Sequence, residues 1–465
     1  MRLRVVFFSV LILILSASST FADTGEYIKV GLSYGYTEVY SATIRCENGL
    51  EIGEITEDGY EIVNDLDDIT KLTAAINDGI ISVSTEDGTV IVRDLGTNGV
   101  IVPQNQGDVL YFASNGYRGG YCFYPDSSGK MNVINYVSLE DYVKGVLHSE
   151  IGYGSPMETL KAQAVCARSY AICNLERHSK AGYDICATTH CQVYRGYQNE
   201  FPSTNQACEE TEGMVLYFNG KPVTGFYSKN NGGHSDNVED VWGSFSGYLR
   251  GVKDDFSPAY TWKAGYTVQE LSTLFEDSGY GIGDVTGIDI ISRNDSGSVR
   301  EMKIYGSEGN KTITGNTLRN ILGANVMKSG MFAFSALSSY EDIEKASEKM
   351  SVTIKSEGLI NNGTIAATNG TEDKTYSKTV NIMGKDGVVR QINTFDLSIT
   401  NGKDVVLPGV ENADQDYSIT FYGLGWGHGV GMAQDSIIAM GNQGFDYEYM
   451  LNYFFTDIEI KEWND

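Results

Sequence analysis

One acidic residue, Glu150, lies where a carboxyl group could act as a general acid. It follows a predicted helix and opens the Gly-rich turn Glu150-Ile-Gly-Tyr-Gly154. The carbonyl-rich end of a helix disfavours a nearby negative charge, and Ile151 and Tyr153 would partly desolvate the carboxyl. Both effects raise the pKa of a carboxyl group. This context favours Glu150 only slightly over the other acidic residues as a proton donor, and the alternative is a solvated surface glutamate.

A second group of residues has the ligand types of a metal site. Cys186, His190 and Cys191 are close in sequence, with His178 upstream. Thiolate and imidazole ligands suit zinc. Because adjacent side chains on an extended chain face opposite sides, we expect His178, Cys186 and Cys191 to bind the ion and His190 to stay free. The alternative is a Cys186–Cys191 disulfide, which an oxidising exterior allows. A zinc ion here would shape a groove rather than activate water.

Glycine alternates with other residues near the C-terminus, at positions 423, 425, 427, 429 and 431. On a strand, these glycines would share one face, and Trp426 and His428 would lie on the other. A glycine face permits close approach of a ligand or a second backbone, and Trp426 is a candidate platform for a sugar ring. We expect a groove wall, against the alternative of tight strand packing with a hydrogen-bonded His428.

Two helices are predicted on either side of Glu150. Ser138-Leu-Glu-Asp141 has the pattern of a capping box, and apolar residues then recur at helical spacing to Leu147. Ser155-Pro-Met-Glu158 predicts a second capping box, with proline at the first helical position. The apolar stripe of this longer helix runs from Leu160 to Leu175.

Arg168 is the only charged residue between Lys161 and Glu176 on the second helix. It would contact either the substrate or a carboxylate such as Glu150. The alternative is a structural salt bridge, and the sequence leaves both open.

The remaining pattern predicts an α+β fold that is rich in strands. Strands are expected at Tyr27–Leu32, Ile80–Ser84, Thr89–Val92 and Tyr453–Ile460, and helices at Asp65–Ala75, Tyr340–Met350 and Asp435–Met440. We expect a β-rich N-terminal region over residues 23–125. The domain that carries Glu150 would comprise residues 126–337 and 419–465, and residues 338–418 would be a β-rich surface insertion.

Charge and the first residues bear on location and partners. There are 34 Lys and Arg against 61 Asp and Glu, a net charge of −27. Nucleic acid and anionic lipid would be repelled. Residues 1–22 have the basic start, apolar run and small-residue end of a secretory signal peptide, with an uncleaved membrane anchor as the alternative. We therefore expect an extracytoplasmic protein, secreted or attached to the outer face of the membrane.

The cysteine count is odd, at 7, so at least one cysteine would be free or metal-bound.

Five stretches of the chain together resemble the stage II sporulation protein D family, which includes the amidase-enhancer proteins. They are Ser138–Ile151, Leu160–Ala171, Thr188–Tyr194, Gly232–Gly243 and Gly425–Gln434, and their order also matches. The resemblance extends from about residue 27 to the end, and is thinnest before Tyr121 and through residues 338–418. The chain departs from the family at Tyr227–Gly233, where a run of serines is more usual.

This resemblance implies a lytic transglycosylase that cleaves peptidoglycan glycan strands already stripped of stem peptides, which in endospore formers serves engulfment. Glu150 would protonate the glycosidic oxygen and then take a proton from the muramic acid 6-hydroxyl as a 1,6-anhydro ring closes. Zinc would bind at Cys186–Cys191, as in some members. Apart from what the resemblance implies, the candidate substrate-binding residues of the sequence are Arg168, Gln192, Ser228, His234, Trp426, His428 and Gln434. The alternatives are a non-catalytic wall-binding protein that enhances a cell-wall amidase, and a zinc-dependent hydrolase.

Overall fold

The computed structural model describes residues 27–32, 39–57, 59–66, 68–345, 350–353 and 418–463, with four short strands between residues 379 and 406. The predicted signal peptide and most of the predicted insertion lie outside the described residues. Within the described part of the chain, no helix is long and apolar enough to span a membrane. Strands outnumber helices, and the α+β class predicted from the sequence is confirmed.

The N-terminal elements form two sheets and a pair of helices. They are β1 Tyr27–Gly31, β2 Ser41–Arg45, β3 Leu50–Thr56, β4 Gly59–Asn64, β5 Lys71–Asn77, β6 Ile80–Thr85, β7 Val90–Val92, β8 Gly99–Pro103, β9 Leu110–Phe112, β10 Asn115–Tyr117, β11 Gly120–Pro125, β12 Met131–Ser138, α1 Leu139–Ile151, α2 Met157–Cys173 and β13 Ile185–Cys186. The strands pair antiparallel except for β13, which runs parallel to β1. One sheet has the order β13-β1-β12-β11-β8-β3-β4 and the other β10-β9-β2-β5-β6-β7. The predicted boundary between residues 125 and 126 therefore lies within a single sheet.

The predicted helix Asp65–Ala75 is wrong, because Lys71–Asn77 forms strand β5. Its side chains alternate between partly exposed and buried positions, with Leu72, Ala74 and Ile76 facing the core. Such a period of two is the pattern of a half-buried strand.

Helices α1 and α2 form as the sequence predicts, with one difference at the second cap. Ser138 caps α1 by accepting a hydrogen bond from the backbone N–H of Asp141 at 3.3 Å. Helix α2 has no side-chain cap, since the Ser155 hydroxyl instead donates to the Ile151 carbonyl at 3.0 Å. The predicted second capping box is therefore wrong, although proline does stand at the start of the helix.

Helix α2 is the central element of the site region. One side packs on the core shared by the two N-terminal sheets and α1, through residues such as Leu160 and Ala167. The other side packs, through Val165 and Cys166, on a core built by C-terminal residues. A helix buried all round offers few places for a charged side chain to reach solvent.

The middle of the chain adds small sheets and a further packed region. Its elements are α3 Pro202–Glu209, β14 Met214–Phe218, β15 Lys221–Pro222, β16 Tyr227–Ser228, α4 Val238–Trp242, β17 Thr261–Thr267, α5 Val268–Asp277, β18 Val285–Arg293, β19 Val299–Gly306, β20 Asn310–Ile313, α6 Gly315–Leu322, β21 Phe332–Ala333 and α7 Tyr340–Lys345. Residues from β17 to β21 bury a core of their own together with Ile419 and Phe421.

The last elements of the described chain include two helices that contact α2. They are β22 Met350–Thr353, β23 Thr379–Met383, β24 Val389–Asn393, β25 Ser398–Thr400, β26 Asp404–Val406, β27 Ser418–Leu424, β28 Met432–Ala433, α8 Gln434–Asn442, α9 Tyr447–Phe454 and β29 Glu459–Glu462. The predicted helix at Asp435–Met440 is confirmed as part of α8. The predicted helix from Tyr340 is seen only to Lys345, and Met350 begins a strand that pairs with β18. The predicted final strand is wrong over residues 453–454, which end helix α9, and right over residues 459–460 of β29.

Candidate functional site

The carboxyl group of Glu150 lies in the last turn of α1, one residue before the helix ends. The backbone N–H of Val193 donates a hydrogen bond to Glu150 Oε1 at 2.9 Å, and the Tyr227 hydroxyl also hydrogen-bonds the carboxyl. Burial raises the pKa of Glu150 above its ordinary value, while these two hydrogen bonds oppose the rise. The raised pKa of Glu150 agrees with the sequence prediction. Tyr153, however, is 52% exposed and contributes little to shielding the carboxyl from solvent.

The backbone of Glu150 is held by a residue near the other end of the chain. Gln434, the first residue of α8, donates from Nε2 to the Glu150 carbonyl at 3.0 Å and to Gln163 Oε1 at 3.3 Å. The Gln434 side chain is buried. Gln434 therefore fixes the end of α1 rather than facing open space, which corrects its predicted role in substrate binding.

Gln192 is also a supporting residue. It is 1% exposed, accepts a hydrogen bond at Oε1 from the Tyr142 hydroxyl at 3.0 Å, and donates from Nε2 to the Tyr227 hydroxyl at 3.0 Å. The hydrogen bond from Gln192 orients the Tyr227 hydroxyl, which in turn acts on the Glu150 carboxyl. The predicted substrate contact of Gln192 is corrected, because both ends of its amide are engaged within the protein.

Beside Glu150 the structure opens a cavity of about 550 Å³. It is lined by Glu150, Tyr170, Arg177, Thr189, His190, Cys191, Val193, Phe226, Tyr227, Trp242 and His428. Glu150 is the one carboxylate among these described lining residues. Trp242 is 43% exposed, and its ring lies 4.8 Å from that of Phe226 and 5.0 Å from that of His428. Such an aromatic wall can contact the apolar face of a sugar.

His428 lies in the cavity wall, as the sequence predicts. Burial lowers the pKa of His428 to about 4, so the ring is neutral at physiological pH. Its Nδ1 accepts a hydrogen bond from the backbone N–H of Val430 at 3.1 Å. The imidazole can therefore carry its proton on Nε2, the nitrogen that does not face this donor.

The alternating glycines do not form the predicted strand beyond Leu424. Gly425, Gly427, Gly429 and Gly431 all have positive φ angles, between 73° and 133°. A Cβ added at any of them would lie within 2.8 Å of an atom in residues 226–236. The glycines therefore allow backbone and side-chain atoms of residues 226–236 to approach closely, as in the tight packing that was the alternative to a groove wall.

Three further residues predicted to bind substrate are not in the cavity wall. Trp426 packs against Tyr260 at 5.8 Å, with Lys328 Nζ 4.0 Å from its ring centre. His234 Nδ1 donates to the Ser235 carbonyl at 2.7 Å. Ser228 is buried under Gly427. Trp426, His234 and Ser228 are therefore not among the residues that line this cavity.

Arg168 makes a structural salt bridge, the alternative that the sequence left open. Its side chain is fully buried and bonds Glu140 through Nε and Nη2, each at 2.6 Å. Nη1 donates to the Met214 carbonyl at 3.0 Å. Glu140 also accepts the backbone N–H of Gly213 at 3.2 Å. The predicted substrate contact of Arg168 is wrong, because α2 is enclosed on both sides.

The Cys/His cluster includes His190, contrary to the prediction from an extended chain. The ligand atoms of His178, Cys186, His190 and Cys191 all lie within 4.8 Å of one another. A turn, in which the Cys191 N–H donates to the Thr188 carbonyl at 3.1 Å, brings the two neighbouring side chains to the same side. The Cys186–Cys191 disulfide, which was the alternative to a metal site, is not present, because both cysteines are free thiols.

The spacing within this cluster fits a tetrahedral zinc site. Bond lengths of roughly 2.0–2.3 Å place tetrahedral ligand atoms roughly 3.3–3.8 Å apart. Cys191 Sγ lies 3.4 Å from His178 Nε2 and 3.5 Å from His190 Nδ1, and Cys186 Sγ lies 3.8 Å from His190 Nδ1. The hydrogen bond between the two thiols lowers the pKa of Cys186 and raises the pKa of Cys191, so Cys186 is the more readily ionised of the two.

Several cavity residues were not identified from the sequence. Tyr227 begins the stretch that departs from the family pattern, and Trp242 lies within the matched stretch Gly232–Gly243, so the positions of both could have drawn attention to them. The backbone N–H of Val193 carried none, because any residue except proline supplies it. Arg177 and Phe226 lie between the matched stretches, and only the fold brings them to Glu150.

The site region is also the part of the chain that a known family matches. A family model described as stage II sporulation protein matches residues 127–218, which include α1, α2 and the Cys/His cluster. An uncharacterised protein of Brachyspira hyodysenteriae is 31% identical over 265 residues, covering 56% of this chain and 69% of that protein. The chain belongs to the stage II sporulation protein D family.

Two relatives from Bacillus subtilis carry functional names. Amidase enhancer is 28% identical over 314 residues, covering 67% of this chain and 39% of that protein. Stage II sporulation protein D is 28% identical over 214 residues, covering 41% of this chain and 60% of that protein. The chain spans less than two thirds of the length of each of these two relatives.

Proposed function

We propose that this protein is an extracytoplasmic lytic transglycosylase that cleaves peptide-stripped peptidoglycan glycan strands. The observation that carries the proposal is the Glu150 carboxyl, which faces a cavity and has a pKa raised by burial. A group of this kind retains its proton closer to neutral pH and can give it to a glycosidic oxygen.

A single carboxylate is sufficient for this reaction. Glycoside hydrolases usually use two, one as acid and one as base or nucleophile. Here the protonated Glu150 gives its proton to the leaving oxygen as the glycosidic bond breaks. The Glu150 carboxylate then takes the proton of the muramic acid 6-hydroxyl, whose oxygen bonds to C1 and closes the 1,6-anhydro ring. The acid is regenerated and no water is consumed.

The neighbours of Glu150 serve both protonation states of this cycle. The Val193 N–H and the Tyr227 hydroxyl stabilise the carboxylate that forms after the first proton transfer. Gln192 orients Tyr227, and Gln434 holds the backbone of Glu150. These supports would keep the carboxyl in place beside the sugar.

We also propose that His178, Cys186, His190 and Cys191 bind one zinc ion. The ion would supply cross-links between the segment around His178 and the turn at residues 186–191. His190 and Cys191 line the cavity, so the fixed turn would form part of its wall.

The test is digestion of peptide-free glycan by the full chain, with products identified by mass spectrometry. We expect 1,6-anhydro-muramic products from the natural chain and none from Glu150→Gln, with unchanged circular dichroism. Glu209→Gln is the matched control, because Glu209 is 63% exposed and away from the cavity wall. Full activity of Glu150→Gln would show that another group is the acid.

A second function is favoured by one relative. The protein named amidase enhancer aligns with 67% of this chain. Under this alternative the chain would bind the cell wall and stimulate a partner amidase without cleaving glycan. Purified protein would then bind sacculi, release no glycan product alone, and raise the turnover of an added cell-wall amidase.

A further inference from the structure

Arg177 is the one residue with a guanidinium or ammonium group among the described residues that line the Glu150 cavity. Its side chain is exposed, in a protein with a net charge of −27. A negative overall field repels anions, so a cation at the cavity is what would admit an anionic ligand locally.

The turn that carries Arg177 is fixed at both sides. Glu176 adopts a left-handed conformation with φ of 63°, and its N–H donates to Asp184 Oδ1 at 3.0 Å. The other oxygen of Asp184 accepts the backbone N–H of Lys29, in β1, at 2.8 Å. The backbone at Arg177 is thereby tied to the N-terminal sheet, which defines where its side chain can reach.

The guanidinium of Arg177 is oriented by neutral groups. Nη1 donates to Asn174 Oδ1 at 2.8 Å and contacts the Tyr170 hydroxyl at 3.5 Å. Asn174 is itself held, since its Nδ2 donates to the Tyr170 carbonyl at 2.8 Å. Within the described part of the chain, Arg177 forms no salt bridge, and its Nε and Nη2 have no hydrogen-bond partner.

We propose that Arg177 binds the lactyl carboxylate of a muramic acid unit whose stem peptide has been removed. This inference rests on the proposed function, in which the cavity receives a glycan strand. The N–H groups on one edge of a guanidinium can donate two parallel hydrogen bonds to the two oxygens of a carboxylate. When a stem peptide is attached, the same carbonyl belongs to an amide, which has no negative charge and one oxygen. Arg177 would therefore select the stripped strands.

The proposal is tested by binding rather than cleavage, in the Glu150→Gln background of the full chain. One probe is a tetrasaccharide of alternating N-acetylglucosamine and N-acetylmuramic acid with free lactyl carboxylates. The second probe has those carboxylates converted to methylamides. We expect the free acid to bind about tenfold more tightly, which corresponds to about 1.4 kcal/mol. Arg177→Gln should remove this preference and leave the affinity for the methylamide within about twofold.

Arg300→Gln is the matched control, because it removes one exposed arginine from strand β19. It should keep the preference for the free acid. Zinc content and circular dichroism of each variant are measured as well, since Arg177 adjoins His178. Equal preference in Arg177→Gln and the parent would overturn the assignment of Arg177 while leaving the proposed function intact. Failure of the parent to bind either probe would overturn the proposed function itself.

Discussion

Replacing Tyr227 by phenylalanine should move the pH–activity profile of the enzyme. The Tyr227 hydroxyl hydrogen-bonds the Glu150 carboxyl and lowers its pKa, against the rise caused by burial. Loss of the hydroxyl therefore raises the pKa of Glu150 further. A hydrogen bond to a charged group contributes about 1.5–3 kcal/mol, so its loss should shift the titration of Glu150 enough to be measured.

The sign of the change in activity follows from the role of Glu150. A general acid must start protonated, so the rate falls as the pH rises through its pKa. In Tyr227→Phe the alkaline limb of kcat/KM should therefore move to higher pH. The assay is release of anhydro-muramic products from peptide-free glycan, measured at each pH.

Tyr142→Phe is the matched control for this experiment. It removes a phenol hydroxyl from the same chain of hydrogen bonds, but the hydroxyl of Tyr142 bonds Gln192 rather than Glu150. Each variant deprives one end of the Gln192 amide of a partner, so similar losses of stability are expected. A limb that stays in place in Tyr227→Phe, or moves to lower pH, would refute the assignment of that limb to Glu150.

Three further predictions concern the surrounding structure. Arg168→Met removes the cation that pairs with the partly buried Glu140, and should lower the free energy of unfolding in urea by about 1.5–3 kcal/mol. Cys191→Ser removes one of four zinc ligands, and should lower the zinc content measured by elemental analysis from about one ion per chain. Burial raises the pKa of Asp236 to about 6, so its stabilisation is full below about pH 4 and is lost as pH rises through about 6. Asp236→Asn should reduce this pH dependence of the unfolding free energy by about 3 kcal/mol.

Each of these predictions has an outcome that contradicts it. If Arg168→Met has unchanged stability but binds glycan more weakly, Arg168 contacts the substrate after all. If the parent protein contains no zinc and its cysteines also resist thiol-specific labelling, the Cys191→Ser prediction fails and a disulfide is indicated. If the stability of Asp236→Asn changes with pH in parallel with that of the parent between about pH 4 and pH 7, the prediction for Asp236 is wrong.

The elements around Glu150 could be predicted because their signals are local. The side chain of Ser138 caps α1, and the apolar residues of α1 and α2 recur at helical spacing. Strand β5 was mistaken for a helix because a short stretch with apolar residues fits either period. Local patterns thus predicted the two helices on either side of the turn at Glu150, whereas the choice of Glu150 as the acid came mainly from the family resemblance.

The remaining features depend on contacts between distant parts of the chain. Gln434 reaches Glu150 across 284 positions, and Arg168 meets Glu140 only because α2 is buried on both sides. His190 joins Cys191 through a turn that the spacing did not reveal. The glycine alternation suggested a strand, but the positive φ angles of Gly425 and Gly429 break it. In each case, contacts between distant residues determine which of the structures compatible with the sequence is formed.

The most direct test of the central claim is cleavage of peptide-free glycan by the full chain in water enriched in oxygen-18. If the 6-hydroxyl of muramic acid is the nucleophile, the new ends are anhydro rings without oxygen-18. A reducing end that carries oxygen-18 would mean that water attacks the sugar, and would contradict the role assigned to Glu150 as sole acid and base. Absence of any product would contradict the enzyme assignment and leave the amidase-enhancing function.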